Sequence, residues 1–87
     1  MNRPRRAAGF RVEAVDDELL LYDPASNRIL ALNPTGALVW HLCDGERSVE
    51  EIVTLLQQGY PESAAGIPAD VAEVLATLRD AGALARG

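Results

Sequence analysis

The chain has 87 residues, of which 48% are apolar and 24% charged, with a formal net charge of −5. A chain this short holds one domain with one modest core, so a deep catalytic cleft lined by several pre-organised groups is not expected. Four arginines lie in the first eleven residues, all 13 acidic residues follow them and lysine is absent, a balance that argues against binding a phosphate backbone.

Residues 1–9, with Arg3, Arg5 and Arg6, read as a solvated flexible arm, and residues 10–87 as a single domain. From Phe10 the pattern turns strand-like, with Phe10, Val12 and Ala14 on one face and Arg11 and Glu13 on the other. Asp16-Asp17-Glu18 is a polar turn, and Leu19 to Tyr22 is a second strand, apolar throughout. Asp23-Pro24-Ala25-Ser26-Asn27 is a turn-forming run, and Arg28 to Leu32 is the third strand. Connections this short imply an antiparallel meander.

Three helices follow. Asn33 suits an N-cap and Pro34 the first helical position of a helix that runs to about Cys43. Thr35, Leu38, Val39 and Leu42 form its apolar stripe, and Gly45 can take a left-handed position after it. Ser48-Val49-Glu50-Glu51 is a capping box that opens the second helix, whose buried stripe is Val49, Ile52, Val53 and Leu56 and whose end is Gly59. Tyr60 to Ile67 reads as a loop. The third helix starts near Pro68, with Asp70 in its first turn, Val71, Val74, Leu75 and Leu78 on its apolar face and Gly82 at its close. Ala83-Leu84 adds a short extended piece. The order of three strands and three helices around one small core is an α+β domain, with the composition of a winged helix-turn-helix.

Little in this order carries covalent chemistry. His41 is the only histidine and Cys43 the only cysteine, so no metal site, cofactor or disulfide is expected. The two stand two apart on a helix and do not face each other, and a free cysteine usually packs as a small apolar group. The clusters Asp16-Asp17-Glu18 and Glu50-Glu51 are explained by a turn and a helix start. A single thiol, no apolar run of the ~20 residues that span a bilayer, and Arg11 and Glu13 breaking any signal-peptide core point to the cytoplasm and away from membranes.

The third strand is different. Ile29, Leu30, Ala31 and Leu32 make both of its faces apolar, which fits either burial on both sides or an edge kept open. In a three-stranded meander this strand is an edge, and none of the usual blocking devices, charge, proline or bulge, lies within it. Such an edge can accept a peptide as an added strand.

Leu30 to Gly45, with its Asn-Pro-Thr-Gly turn, short helix and Cys-Asp-Gly ending, resembles the PqqD-like family, the small peptide chaperones also called RiPP recognition elements. The wording Asn-Pro-Thr-Gly-Ala-Leu-Val-Trp is also typical of recognition elements from lasso-peptide systems. The resemblance covers about Val12 to Leu84 and implies a winged helix-turn-helix-like fold. It further implies a non-catalytic domain that binds the leader of a ribosomal precursor peptide and presents it to a modifying enzyme. That enzyme is a radical-SAM protein, a leader peptidase or a cyclase, in peptide natural-product or pyrroloquinoline-quinone biosynthesis. Carried onto this chain, the leader pairs with Arg28, Ile29, Leu30, Ala31 and Leu32 and packs against Asp70, Val71, Val74, Leu75 and Leu78. Two other readings stay open. One is a DNA-binding winged helix, against which stand Asp70, Glu73 and Asp80 with Arg79 alone on the third helix. The other is a dimerisation module in which a second copy supplies the missing strand.

Overall fold

The structure, a computed structural model, describes residues 3–85; Met1 and Asn2 of the expected arm lie outside the described residues, as do Arg86 and Gly87. Three strands, β1 (Arg11–Val15), β2 (Glu18–Asp23) and β3 (Arg28–Leu32), form an antiparallel sheet in the order β1-β2-β3. Helices α1 (Pro34–Leu42), α2 (Val49–Gly59) and α3 (Ile67–Asp80) follow, so the α+β order expected from the residues is the order observed.

Each turn is set locally. Val15 pairs with Glu18 across a two-residue turn in which Asp16 has a φ of +54°. The second turn sets Asn27 at a φ of +61°, held by its N–H to the Asp23 carbonyl (2.8 Å) and by the Tyr22 hydroxyl on its side chain (3.0 Å). Asp and Asn tolerate this left-handed region because their short polar side chains bond nearby backbone.

The helix ends follow the same logic. Asn33 accepts from the Gly36 N–H at 2.8 Å, and residue 36 must be small, since a Cβ there would stand 3.3 Å from both Asn33 Oδ1 and Leu32 Cβ. Ser48 and Glu51 form both halves of their capping box. After α3, Gly82 has a φ of +76°, and the bonds Ala83 N–H to Leu78 carbonyl and Gly82 N–H to Arg79 carbonyl make a Schellman stop. Helix α1 ends one residue before the expected Cys43, which caps it instead, and part of the Tyr60–Ile67 loop is wound into a 3₁₀ turn at Pro61–Ser63.

The core has two lobes. Val39, Cys43, Ile52, Leu56, Ile67, Val71 and Leu75 fill the space among the helices. Leu19, Leu21, Leu32, Trp40, Leu78 and Ala83 join the sheet to α1 and to the end of α3. Val74 and Leu84 pack against both lobes.

The N-terminal segment departs from the expected flexible arm. Arg5 bridges to Asp44 and Arg6 to Leu84, so that residues 4–7 run between the stretch after α1 and the stretch Ala83–Ala85, bonded by backbone to both. Backbone pairing, which is blind to side-chain type, holds in place a segment that looks like a tail by composition.

Candidate functional site

Strand β3 lies at one edge of the sheet, with its inner face turned to the core and its outer face to solvent. Leu32 is buried and Leu30 half-buried against the sheet lobe, while Ile29 is 68% exposed and Ala31 and Arg28 are exposed. Burial on both faces, one of the two readings of this strand, is therefore not what the fold does. On the outer face Ile29 stands opposite Tyr22, and Ala31 opposite Leu20. These side chains continue as a mostly apolar surface from the middle of the sheet to its edge. Alternate residues of an edge strand direct backbone N–H and C=O groups away from the sheet, which is the requirement for adding a strand.

The candidates on α3 divide. Val71 and Leu78 are fully buried and Leu75 is 5% exposed, so these three are core and present nothing to an incoming peptide. Their positions, spaced four and three apart, form the stripe that packs on α1, on α2 and, at Leu78, on the sheet lobe, and burial there outweighs availability. Val74, beside that stripe, is half-buried and borders the same lobe as Leu30. Asp70 is exposed, but it sits over a cavity of about 190 Å³ together with Pro34, Thr35, Leu38, Leu56, Tyr60, Ser63 and Ile67. By residue pattern Thr35 belongs to the apolar stripe of α1 and Tyr60 and Ser63 to a loop, and none of the three is marked for a site; Thr35 is in fact exposed. The one signal that could have raised them is Tyr60, a large aromatic directly after the helix-ending Gly59, now 53% exposed.

Cys43, Asp44, Glu51 and His41 each have a structural setting. Burial pushes the Cys43 thiol up to about 11, against the pull of the Arg6 guanidinium, so it is protonated at neutral pH and a poor nucleophile. Asp44 accepts from the N–H groups of Glu46 (2.9 Å) and Arg47 (3.0 Å) and pairs with the Arg47 side chain at 2.5 Å. Those amides, with a smaller contribution from the Arg47 charge, hold its carboxyl below the ordinary value. The Ser48 N–H does the same for Glu51. His41 is exposed, and its carbonyl accepts from Arg6 at 2.7 Å. Among the described residues no three His, Cys, Asp or Glu side chains converge to hold a metal, and no helix is long and apolar enough to cross a membrane.

Comparison with known proteins gives the chain's family and fold relatives. A family model described as Coenzyme PQQ synthesis protein D (PqqD) matches residues 18–84. No curated protein matches the chain in sequence. Among solved structures, the PqqD truncation of Methylobacterium extorquens PqqCD, a functional and stand-alone RiPP recognition element, is 30% identical. It has a TM-score of 0.75, with 95% of this chain and 88% of that chain covered. Lasso peptide synthetase B1 complexed with the leader peptide is 25% identical, with a TM-score of 0.78 over 97% of this chain and 99% of that one. TbiB1 in complex with the TbiA(beta) leader peptide, 21% identical over 92% and 93% of the two chains, shares the fold with a TM-score of 0.76.

Proposed function

The chain belongs to the PqqD family, and we propose that it binds the leader segment of a ribosomal precursor peptide as a fourth strand on β3. The leader's backbone pairs along Arg28–Leu32, and its side chains rest on Leu30, Val74 and the outer-face residues Ile29 and Ala31. Backbone hydrogen bonds give the affinity and these apolar contacts give the preference for one leader over another. The observation that carries this reading is an uncharged edge from Ile29 to Leu32 whose inner side is anchored in the core and whose outer side is open.

The domain itself performs no chemistry. It presents the core segment of the precursor to a separate modifying enzyme, a radical-SAM protein, a leader peptidase or a cyclase. Tethering turns the encounter of core peptide and enzyme into an intramolecular one, at an effective concentration on the order of millimolar for a short flexible linker. A lone buried thiol suits a reducing compartment, and we place this work in the cytoplasm.

The test is an NMR titration with the leader of the precursor peptide encoded beside this chain's gene. Micromolar leader is expected to shift the backbone amides of residues 28–32 before those of β1. Binding that leaves residues 28–32 unmoved overturns strand addition.

A further inference from the structure

Helix α1 ends at Leu42 and α3 at Asp80, and each is followed by a short stretch of irregular chain: Cys43–Gly45 after the first, Ala83–Ala85 after the second. The N-terminal segment runs between these two stretches and bonds to both. On one side the Arg6 N–H donates to the Cys43 carbonyl (3.1 Å), and the Gly45 N–H to the Pro4 carbonyl (2.9 Å). On the other the Ala7 N–H donates to the Ala83 carbonyl (2.8 Å), and the Ala85 N–H to the Arg5 carbonyl (2.7 Å). Residues 4–7 are thus tied by backbone bonds on both sides, through one isolated bridge to each stretch. They lie outside residues 18–84, which the family model matches.

Arg6 adds side-chain bonds to this arrangement. Its Nη1 donates to the carbonyls of Trp40 (3.1 Å) and His41 (2.7 Å), in the last turn of α1, where a positive charge also suits the helix dipole. Its guanidinium lies 6.0 Å from the centre of the Trp40 ring, which Phe10 meets edge-on at 6.4 Å. Trp40 and Ala83, the residues held by the strap, share a core lobe with Leu32 of β3 and Leu78 of α3. Gly45 is shaped to this contact. It has a φ of +81°, and a Cβ on it would stand 3.0 Å from Arg5 Cδ.

We propose that residues 4–7 are a strap that fixes α1 and the end of α3 relative to β3, with Arg6 as the positioning residue, so that the peptide-binding flank is pre-organised. The proposal rests on strand addition to β3. A flank that rocks must be ordered when the peptide arrives, and that ordering is subtracted from the affinity. A flank tied beforehand avoids the loss. Arg6 acts on the peptide only through Trp40, Ala83 and the core beneath β3.

The experiment uses the full-length chain and three variants. Arg6→Ala removes the side-chain bonds, Arg6→Lys keeps a donor for the same carbonyls, and Gly45→Ala crowds Arg5 from the stretch after α1. Amide exchange is followed at Gly45 and Ala85, and affinity is measured for a peptide selected on the wild-type chain from a displayed random library. Arg6→Ala and Gly45→Ala are expected to speed exchange at both amides and to weaken the peptide about tenfold (about 1.4 kcal/mol), with Arg6→Lys close to wild type. If Arg6→Ala does not fold, Gly45→Ala carries the same comparison. Faster exchange with affinity unchanged within about twofold overturns the positioning role and leaves a structural strap. Unchanged exchange in both variants overturns the strap itself. A peptide that binds without shifting residues 28–32 sinks the strand-addition reading, whatever the exchange shows, and the coupling with it.

Discussion

Strands β1 and β3 are both five residues long, both pair with β2, and both stand at an edge of the same sheet, yet they differ in charge and in burial. Every residue of β1 is exposed, including Val12 at 48%, and Arg11 and Glu13 put charge along it. Strand β3 carries no charge after Arg28, and its inner side chains descend into the lobe that α1 and α3 share. Helix α1 packs on β2 and β3, which gives the third strand a rigid backing. A charged, unbacked edge repels pairing and yields easily, whereas an uncharged edge anchored from below is a fixed template. The charge and the anchoring together, rather than edge position, distinguish a strand that can receive a peptide.

The sharpest way to break that comparison is to cut the anchor on each side. Leu32→Ala is expected to cost about 2–4 kcal/mol in urea unfolding, as a fully packed leucine does. Val12→Ala, at a half-exposed site on β1, is expected to cost less than about 1 kcal/mol. Equal losses would mean that both edges are equally backed.

The second way is to give β3 the character of β1. Ile29→Glu places a charge on the outer face of β3 at a residue that is 68% exposed. Urea unfolding is expected to move by no more than about 0.5 kcal/mol. Affinity for the leader peptide is expected to fall at least about tenfold, or about 1.4 kcal/mol. Removing charge from β1 with Glu13→Ala is expected to leave that affinity unchanged. Affinity insensitive to Ile29→Glu would place the binding surface elsewhere.

The smallest effect concerns the loop between α1 and α2. Asp44 and Glu51 have folded-state values below the ordinary 3.8 and 4.5, through the backbone N–H groups they accept. Their contribution to stability is whole above those ordinary values and is lost as the pH falls through the lowered folded ones. Below about pH 4, amide exchange at Glu46, Arg47 and Ser48 is expected to speed up, while β3 amides keep their protection. Simultaneous loss at β3 would show that the loop and the third strand unfold as one unit.

The parts legible in the residues are those whose partners are close in the chain. Asn33 caps Gly36, Ser48 and Glu51 satisfy each other, and Gly82 stops α3, in each case through groups no more than five residues apart. Strand β3 and its bounds follow from the same kind of reading, an apolar run between a turn and a cap without a blocking charge, whereas burial on both faces or an open edge fitted those residues equally. The α3 candidates were less legible. Val71, Val74, Leu75 and Leu78 are all apolar and all on one face, and periodicity alone ranks them equally. The neighbours that bury three of them and leave Val74 half open come from α1, α2 and the sheet.

By itself the sequence determined the order of elements, their ends, the family and the strand whose edge is unprotected, because capping, turn chemistry and charge placement act within a few residues. Tertiary structure alone decided which side of β3 is anchored, which α3 residues remain reachable, and that Pro4–Ala7 is bonded by its backbone to two other stretches. Those outcomes depend on backbone groups and packing partners brought together from the start, middle and end of the chain. Backbone hydrogen bonds carry no side-chain signature, so four residues that read as a basic arm became the link between two helix ends.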